Sequence, residues 1–133
     1  MNSTDIVRGF WETMRSNDYA RAAKDWLAPE FVGLWPQSGE VIRGRVEFAK
    51  VNAAFPGRGH WTFEEVSLIA EGSRVVTDMR VTNPLLEVTA RALTFHDITE
   101  SLICRQTEYW PDQYEVPAWR KGVLEVSLDI ARW

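Results

Sequence analysis

The chain has 133 residues, a net charge of −4 at pH 7, 45% hydrophobic residues and 26% charged residues. This length and composition suit one globular domain, and the acidic balance with scattered basic residues argues against a nucleic-acid-binding surface. A single cysteine excludes an internal disulfide, and no apolar stretch approaches the roughly 18 residues of a membrane span. We therefore predict a soluble, cytoplasmic, single-domain protein (residues 1–133) with no nucleic-acid or membrane partner.

Three helices are predicted in the first half of the chain. Ser3 and Thr4 can cap the first helix, whose apolar side chains recur at intervals of three and four residues. The second helix follows the break at residues 16–18 and ends at Pro29. A third helix, at about 45–55, comes after a short hairpin, which we predict from the turn residues that separate 31–35 from 40–43.

Beyond residue 60 the pattern becomes that of strands. Four are predicted, at 60–70, 74–82, 86–96 and 102–110. Their connections are short enough for antiparallel hairpins, so the strands form a meander. Helices followed by a run of strands indicate an α+β fold.

The last residues form a C-terminal extension at 120–133, outside a core of about 5–119. Apolar and polar residues alternate there, which predicts an extra strand after a short helix at 117–123. The apolar positions of that strand are Leu124, Val126, Leu128 and Ile130. An apolar edge strand invites pairing with another chain, so we expect a homodimer that uses the sheet and this strand.

The order of these elements resembles the nuclear transport factor 2-like superfamily, and in particular its SnoaL-like bacterial branch. The resemblance rests on the helix–SND–helix opening, on Ile42-Arg43-Gly44 before the third helix, and on the ending Thr107–Asp112. It implies a cone, in which a strongly curved antiparallel sheet wraps around three helices and leaves a pocket between them. It also implies homodimers, no cofactor, and either an enzyme acting on a small hydrophobic molecule or a non-catalytic binding domain.

Two enzyme classes of the superfamily can be compared with the chain position by position. Ketosteroid isomerases use a tyrosine and two aspartates, where this chain has Phe10, Trp35 and Arg91, and none of these side chains can do the same chemistry. Epoxide hydrolases use an Asp–Arg–Asp set. Glu108 matches one aspartate and Arg80 matches the arginine if a gap is allowed, but Thr82 cannot replace the second aspartate.

Polyketide cyclases offer a third comparison, since they use an acidic residue on a late strand and a histidine on the strand before it. Glu108 lies on such a late strand, but we expect His96 to lie in the turn at the end of its own strand. The single cysteine and two histidines show no metal-ligand spacing, so no metal is predicted.

The pocket face depends on the register of the last hairpin, because side chains alternate across a strand. A four-residue loop at 98–101 places Arg91 opposite Glu108; a five-residue loop separates them. We favour the first, which gives a mostly apolar pocket with a few polar groups. Together with the resemblance, it predicts a ligand-binding set of Phe10, Trp35, Met79, Leu93, Phe95, Gln106 and Trp110.

Glu108 and Arg91 are thus the candidate catalytic residues, with two hypotheses left open. In the first, Glu108 moves a proton or activates water while Arg91 binds an oxyanion or carbonyl of a small lipophilic substrate. In the second, Arg91 and Glu108 form a structural ion pair inside a non-catalytic module that binds a ligand or only dimerises. The substrate and reaction are not encoded in any motif.

Overall fold

The computed structural model describes all 133 residues and has an α+β fold, as predicted. Three helices, α1 (Ser3–Arg15), α2 (Tyr19–Trp26) and α3 (Gly44–Ala54), pack on one sheet. Its six strands are β1 (Leu27–Trp35), β2 (Glu40–Arg43), β3 (Thr62–Glu71), β4 (Arg74–Asn83), β5 (Val88–Thr99) and β6 (Leu102–Tyr109). None of the helices combines the length and the apolar content that a membrane-spanning segment requires.

Polar caps and one close contact fix the first two helices. Asn2, rather than Ser3 or Thr4, caps α1 by accepting a hydrogen bond from the backbone N–H of Asp5 at 2.8 Å, and Asp18 caps α2 in the same way. The indole of Trp26 lies against Gly9 so closely that a Cβ there would come within 2.2 Å of the ring. The glycine therefore allows α2 to pack tightly on α1.

The sheet is mixed, which corrects the prediction of a fully antiparallel one. The strand order is β2-β1-β6-β5-β4-β3, and β1 runs parallel to β6 while every other pair is antiparallel. The chain passes from α2 directly into β1 at Leu27, before Pro29, so α2 ends earlier than predicted. The helix α3 between β2 and β3 carries the chain back along the sheet, so that these two strands run in the same direction. The antiparallel hairpins from β3 to β6 then bring β6 beside β1 in a parallel orientation.

The last hairpin has a shorter turn than either predicted loop. Only Glu100 and Ser101 separate β5 from β6, and both have positive φ, at 51° and 65°. This two-residue turn and a bulge near Ile98 pair Thr94 with Glu108 and His96 with Gln106. Glu108 therefore shares its face with the even-numbered residues of β5, which reverses the predicted face of that strand.

The C-terminal extension forms no strand. Its only regular element is one 3₁₀ turn at Ala118–Arg120, and the apolar side chains after it are exposed, with Leu124 at 75% and Ile130 at 79%. The extension ends on the sheet face opposite the helices, where the Trp133 indole donates to the Thr89 carbonyl at 3.1 Å. Alternating sequence alone cannot make a strand, because a strand also needs a hydrogen-bonded neighbour.

Candidate active site

Two adjoining cavities lie between the helices and the concave face of the sheet. The inner cavity has a volume of about 30 Å³, enough for a water molecule or one small group, and the outer one about 210 Å³. Glu108 is the only charged residue among the thirteen that line the inner cavity. Eight of the nine residues that line the outer cavity are hydrophobic, the exception being Asn52, which lines both cavities.

Glu108 projects from β6 into the inner cavity and is held by two hydrogen bonds. Its Oε2 accepts from the Thr94 hydroxyl at 2.6 Å, across the strand pair, and its Oε1 accepts from the Trp35 indole at 3.2 Å. Glu108 as a whole residue is half-buried, and its carboxyl group has no cation as a partner. The only polar partners of the carboxyl group are therefore uncharged hydrogen-bond donors.

Burial raises the pKa of Glu108 above its ordinary value of 4.5. The hydrogen bonds from Thr94 and Trp35, with a smaller contribution from the nearby Trp110 indole, act in the opposite direction because they stabilise the carboxylate, but they do not overcome the loss of solvation. A carboxyl group with a raised pKa can hold or release a proton closer to neutral pH, which general acid–base chemistry requires.

A buried chain of polar side chains lies beside Glu108. His96 Nε2 is 2.9 Å from the Thr77 hydroxyl, which accepts from the Trp11 indole at 3.2 Å, and His96 Nδ1 is 3.1 Å from the Gln106 amide. His96 is completely buried, and this burial lowers its pKa to about 3, so the imidazole is neutral. Contrary to the prediction, His96 does not lie in the turn but within β5, which continues to Thr99.

Arg91 lies on the opposite face of the sheet, so the predicted Arg91–Glu108 pair is wrong. It forms a two-pronged ion pair with Asp78, with an Nε–Oδ1 distance of 2.9 Å. Leu93 and Phe95 share that convex face and line neither cavity. All three corrections have one cause, the β-bulge between Asp97 and Ile98, which shifts the pairing with β6 by one residue and turns the odd-numbered side chains of β5 away from the helices.

The other predicted site residues lie on the concave side. Five of them line the inner cavity, namely Phe10, Trp35, Gln106, Glu108 and Trp110. Met79 is completely buried in the core and lines neither cavity. The epoxide-hydrolase set cannot assemble here, since Arg80 lies on the convex face, where it binds Glu64 and the Trp133 carbonyl.

Two residues of the site were missed from the sequence. The predicted register, which turns Arg91 toward Glu108, turns the even-numbered Thr94 away from the pocket, yet Thr94 is the nearest hydrogen-bond donor to Glu108. Asn52 was overlooked, although a polar residue four positions after Phe48 and three before Phe55, on the apolar side of a helix, could have indicated a cavity. No three of the His, Cys, Asp and Glu side chains come together in an arrangement that could hold a metal ion.

The curved sheet packed on three helices is the nuclear transport factor 2-like architecture, and solved structures confirm it. A "putative ketosteroid isomerase" from Kribbella flavida has a TM-score of 0.82 at 24% identity, over 94% of this chain and 89% of that one. An NTF-2-like protein of unknown function from Burkholderia xenovorans has a TM-score of 0.75 at 21% identity, over 94% of each chain. At these identities the likeness concerns the fold alone.

The family is shown by the sequence itself. Residues 7–106, well over half of the chain, match the SnoaL-like domain model. The chain therefore belongs to the SnoaL-like domain family. A "putative SnoaL-like polyketide cyclase" from Jannaschia is also similar, with a TM-score of 0.70 at 16% identity over 81% of this chain and 84% of that one. No curated protein matches the chain.

Proposed function

We propose that the protein binds a small lipophilic molecule in its two cavities and that Glu108 transfers a proton to or from it without a cofactor. The observation that carries this proposal is the position of Glu108, the sole charged group of the inner cavity, next to an almost entirely apolar outer cavity. An apolar body of the ligand would lie in the outer cavity and its reacting end beside Glu108. Isomerisation, cyclisation and hydration all need such a proton transfer.

The surroundings of Glu108 support a role in proton transfer. Trp35 and Thr94 hold the carboxyl group in one orientation, and no arginine or lysine pairs with it. A neighbouring cation would hold the pKa of a carboxyl group low and make it a weak base, whereas burial raises the pKa of Glu108. Positioning by donors without a cation suits a group that changes its protonation state during turnover.

The mechanism of the superfamily's isomerases does not fit this site. Phe10 and Trp35 line the inner cavity where a hydroxyl donor and a carboxylate base would be needed, and Arg91 lies on the other face. The name of the Kribbella flavida protein therefore gives no reaction for this chain. The residues of this site instead support a reaction in which Glu108 is the single acid–base group.

A base in an apolar cavity can be tested before the natural substrate is known. The probe is 5-nitrobenzisoxazole, from which a base removes the ring C–H proton while the N–O bond breaks, giving a coloured cyanophenolate. We expect the wild-type rate to rise with pH as Glu108 ionises, and Glu108→Gln to lose at least about 100-fold, the usual contribution of a positioned base. The matched control is Glu71→Gln, which changes an exposed carboxylate at the end of β3. Equal rates for wild type and Glu108→Gln would reject the proposal.

A non-catalytic binding module is the second candidate, favoured by the apolar lining of the outer cavity. The ion pair proposed for it between Arg91 and Glu108 does not exist, so Glu108 would then only orient a ligand. In that case Glu108→Gln would weaken the binding of a hydrophobic fluorescent probe, while the wild-type protein would show no proton-transfer rate above that of Glu108→Gln.

We further propose that the protein is a homodimer and that the C-terminal extension takes part in the interface. Its four alternating apolar side chains, Leu124, Val126, Leu128 and Ile130, are each 68–79% exposed in the single chain. Such a row is the usual mark of an interaction surface. Replacing all four by Ser should shift the mass measured by sedimentation equilibrium from that of a dimer to the 15.3 kDa monomer; a wild-type monomer would refute this assignment.

A further inference from the structure

The polar chain from Trp11 to Gln106 has a direction, because each group has a limited set of donors and acceptors. The Trp11 indole can only donate, so the Thr77 hydroxyl oxygen accepts from it at 3.2 Å. The hydroxyl proton of Thr77 then needs an acceptor of its own. The only other side-chain partner of that oxygen is His96 Nε2, at 2.9 Å, and both residues are completely buried.

This direction fixes the tautomer of His96. If Nε2 accepts from Thr77, the neutral imidazole carries its proton on Nδ1. Nδ1 must then donate, and its partner is the side-chain amide of Gln106, 3.1 Å away. The amide atom placed there is Nε2, but the oxygen and nitrogen of an amide have the same shape and are assigned from their hydrogen bonds. The chain of donors places the oxygen against His96.

We infer that His96 is a positioning residue that turns the NH₂ group of Gln106 toward the inner cavity, so that the site selects a ligand whose inner end is a hydrogen-bond acceptor such as a ketone carbonyl. Gln106 lines that cavity beside Glu108, two residues along the same face of β6. This inference rests on the proposed function and adds the chemical class of the ligand to it. If the Gln106 amide had the opposite orientation, its oxygen would face the cavity and the site would select a hydrogen-bond donor such as an alcohol or an amine.

The tautomer can be measured in the wild-type fold without any ligand. Nitrogen-15 NMR of histidine-labelled protein separates a protonated ring nitrogen from a pyridine-type one, and couplings to the ring protons assign each. His60→Gln removes the signals of the other histidine, which is exposed. We expect a protonated Nδ1 and a pyridine-type Nε2 for His96. A proton on Nε2, on both nitrogens, or exchanging between them would overturn the inference.

Ligand choice is tested with acetophenone and α-methylstyrene, which have nearly the same shape but carry C=O and C=CH₂ respectively. Wild type should bind the ketone about tenfold more tightly, the effect of one net hydrogen bond. Gln106→Met keeps the chain length, removes the amide and should abolish the preference, while Gln113→Met, on the exposed C-terminal segment, should keep it.

The outcomes separate this inference from the proposed function. Equal binding of the two compounds by wild type, or an unchanged preference in Gln106→Met, would overturn the inference and leave a hydrophobic binding site. Binding of neither compound would overturn the proposed function, and with it the ligand class assigned here, even with the expected tautomer. If Gln106→Met fails to fold, the tautomer and the wild-type preference decide the question.

Discussion

The polar residues on the two faces of β5 have different kinds of partner. On the concave face, Thr94 and His96 are completely buried and are held in hydrogen bonds between uncharged groups or with the single carboxyl group of Glu108. On the convex face, Arg91 pairs with Asp78 and Asp97 with Arg74, within reach of solvent. Alternate residues of one strand thus lie in two electrostatic environments.

The difference shows where chemistry can occur. An ion pair near solvent satisfies both charges and leaves neither free to exchange a proton with a ligand. The concave face lacks compensating charge, so burial favours the neutral forms there, lowering the pKa of His96 and raising that of Glu108. Only Glu108 of these two lines a cavity, so Glu108 is the group that we propose to transfer a proton, with His96 as its support.

The largest effect expected from the difference between the two faces is a loss of folding stability in acid, caused by His96. Its pKa falls from 6.5 in the unfolded chain to about 3 in the fold, so only the unfolded chain takes up a proton on this residue between those values. The free energy of unfolding should therefore fall with decreasing pH from about 6.5 to about 3, by a total of about 5 kcal/mol. Urea denaturation of wild type and His96→Gln across this range measures it.

The difference between the two proteins isolates His96 from the carboxylates, which also titrate in acid. His96→Gln should be less stable than wild type at pH 7, since it breaks the hydrogen bonds to Thr77 and Gln106. The difference in the free energy of unfolding between the two proteins should become smaller as the pH falls. His60→Gln, at the exposed histidine, should keep the wild-type dependence. A constant difference between wild type and His96→Gln would show that the concave face tolerates a charge at His96.

Glu108 should produce an effect of opposite sign. Its pKa is raised in the fold, so the stability it contributes is complete below 4.5 and is lost as the pH rises through the folded pKa. Glu108→Gln stays neutral, so its stability relative to wild type should increase with pH over that window and then level off. Thermal unfolding at several pH values checks this. A relative stability that decreased with pH would mean that the donors stabilise the carboxylate more than burial destabilises it.

The sequence predicted the elements better than it predicted which of their faces meet. Helix stripes and turn residues depend on neighbouring positions, and they located the three helices, the first hairpin and the four long strands to within a few residues. The family resemblance added the cone and directed attention to the residues at the end of β6. Phe10, Trp35, Gln106, Glu108 and Trp110 do line the cavity.

The errors arose where one residue of register decides the result. The two-residue turn at Glu100–Ser101, with positive φ at both residues, was missed, but it shortens the predicted loop by two residues and so leaves the faces of the strands unchanged. The bulge between Asp97 and Ile98 shifts the pairing by one residue, and because no sequence signal marks it, Arg91 was placed on the same face as Glu108. The same shift hid Thr94 and moved Leu93 and Phe95 into the pocket. The parallel pairing of β1 and β6 was missed because it joins distant segments and leaves no local pattern.

The smallest expected effect belongs to the convex face and provides the contrast. Arg91→Met removes the ion pair with Asp78, whose side chain is 29% exposed and can be solvated instead, so unfolding should become easier by no more than about 1 kcal/mol. The loss should shrink as salt is added, and a double-mutant cycle with Asp78→Asn should isolate the coupling of the pair. The rate with 5-nitrobenzisoxazole should not change, because Arg91 does not reach the cavity. A large loss of that rate in a folded Arg91→Met protein would mean that the two faces of β5 are coupled, and that charge on the outer face controls the carboxyl group on the inner one.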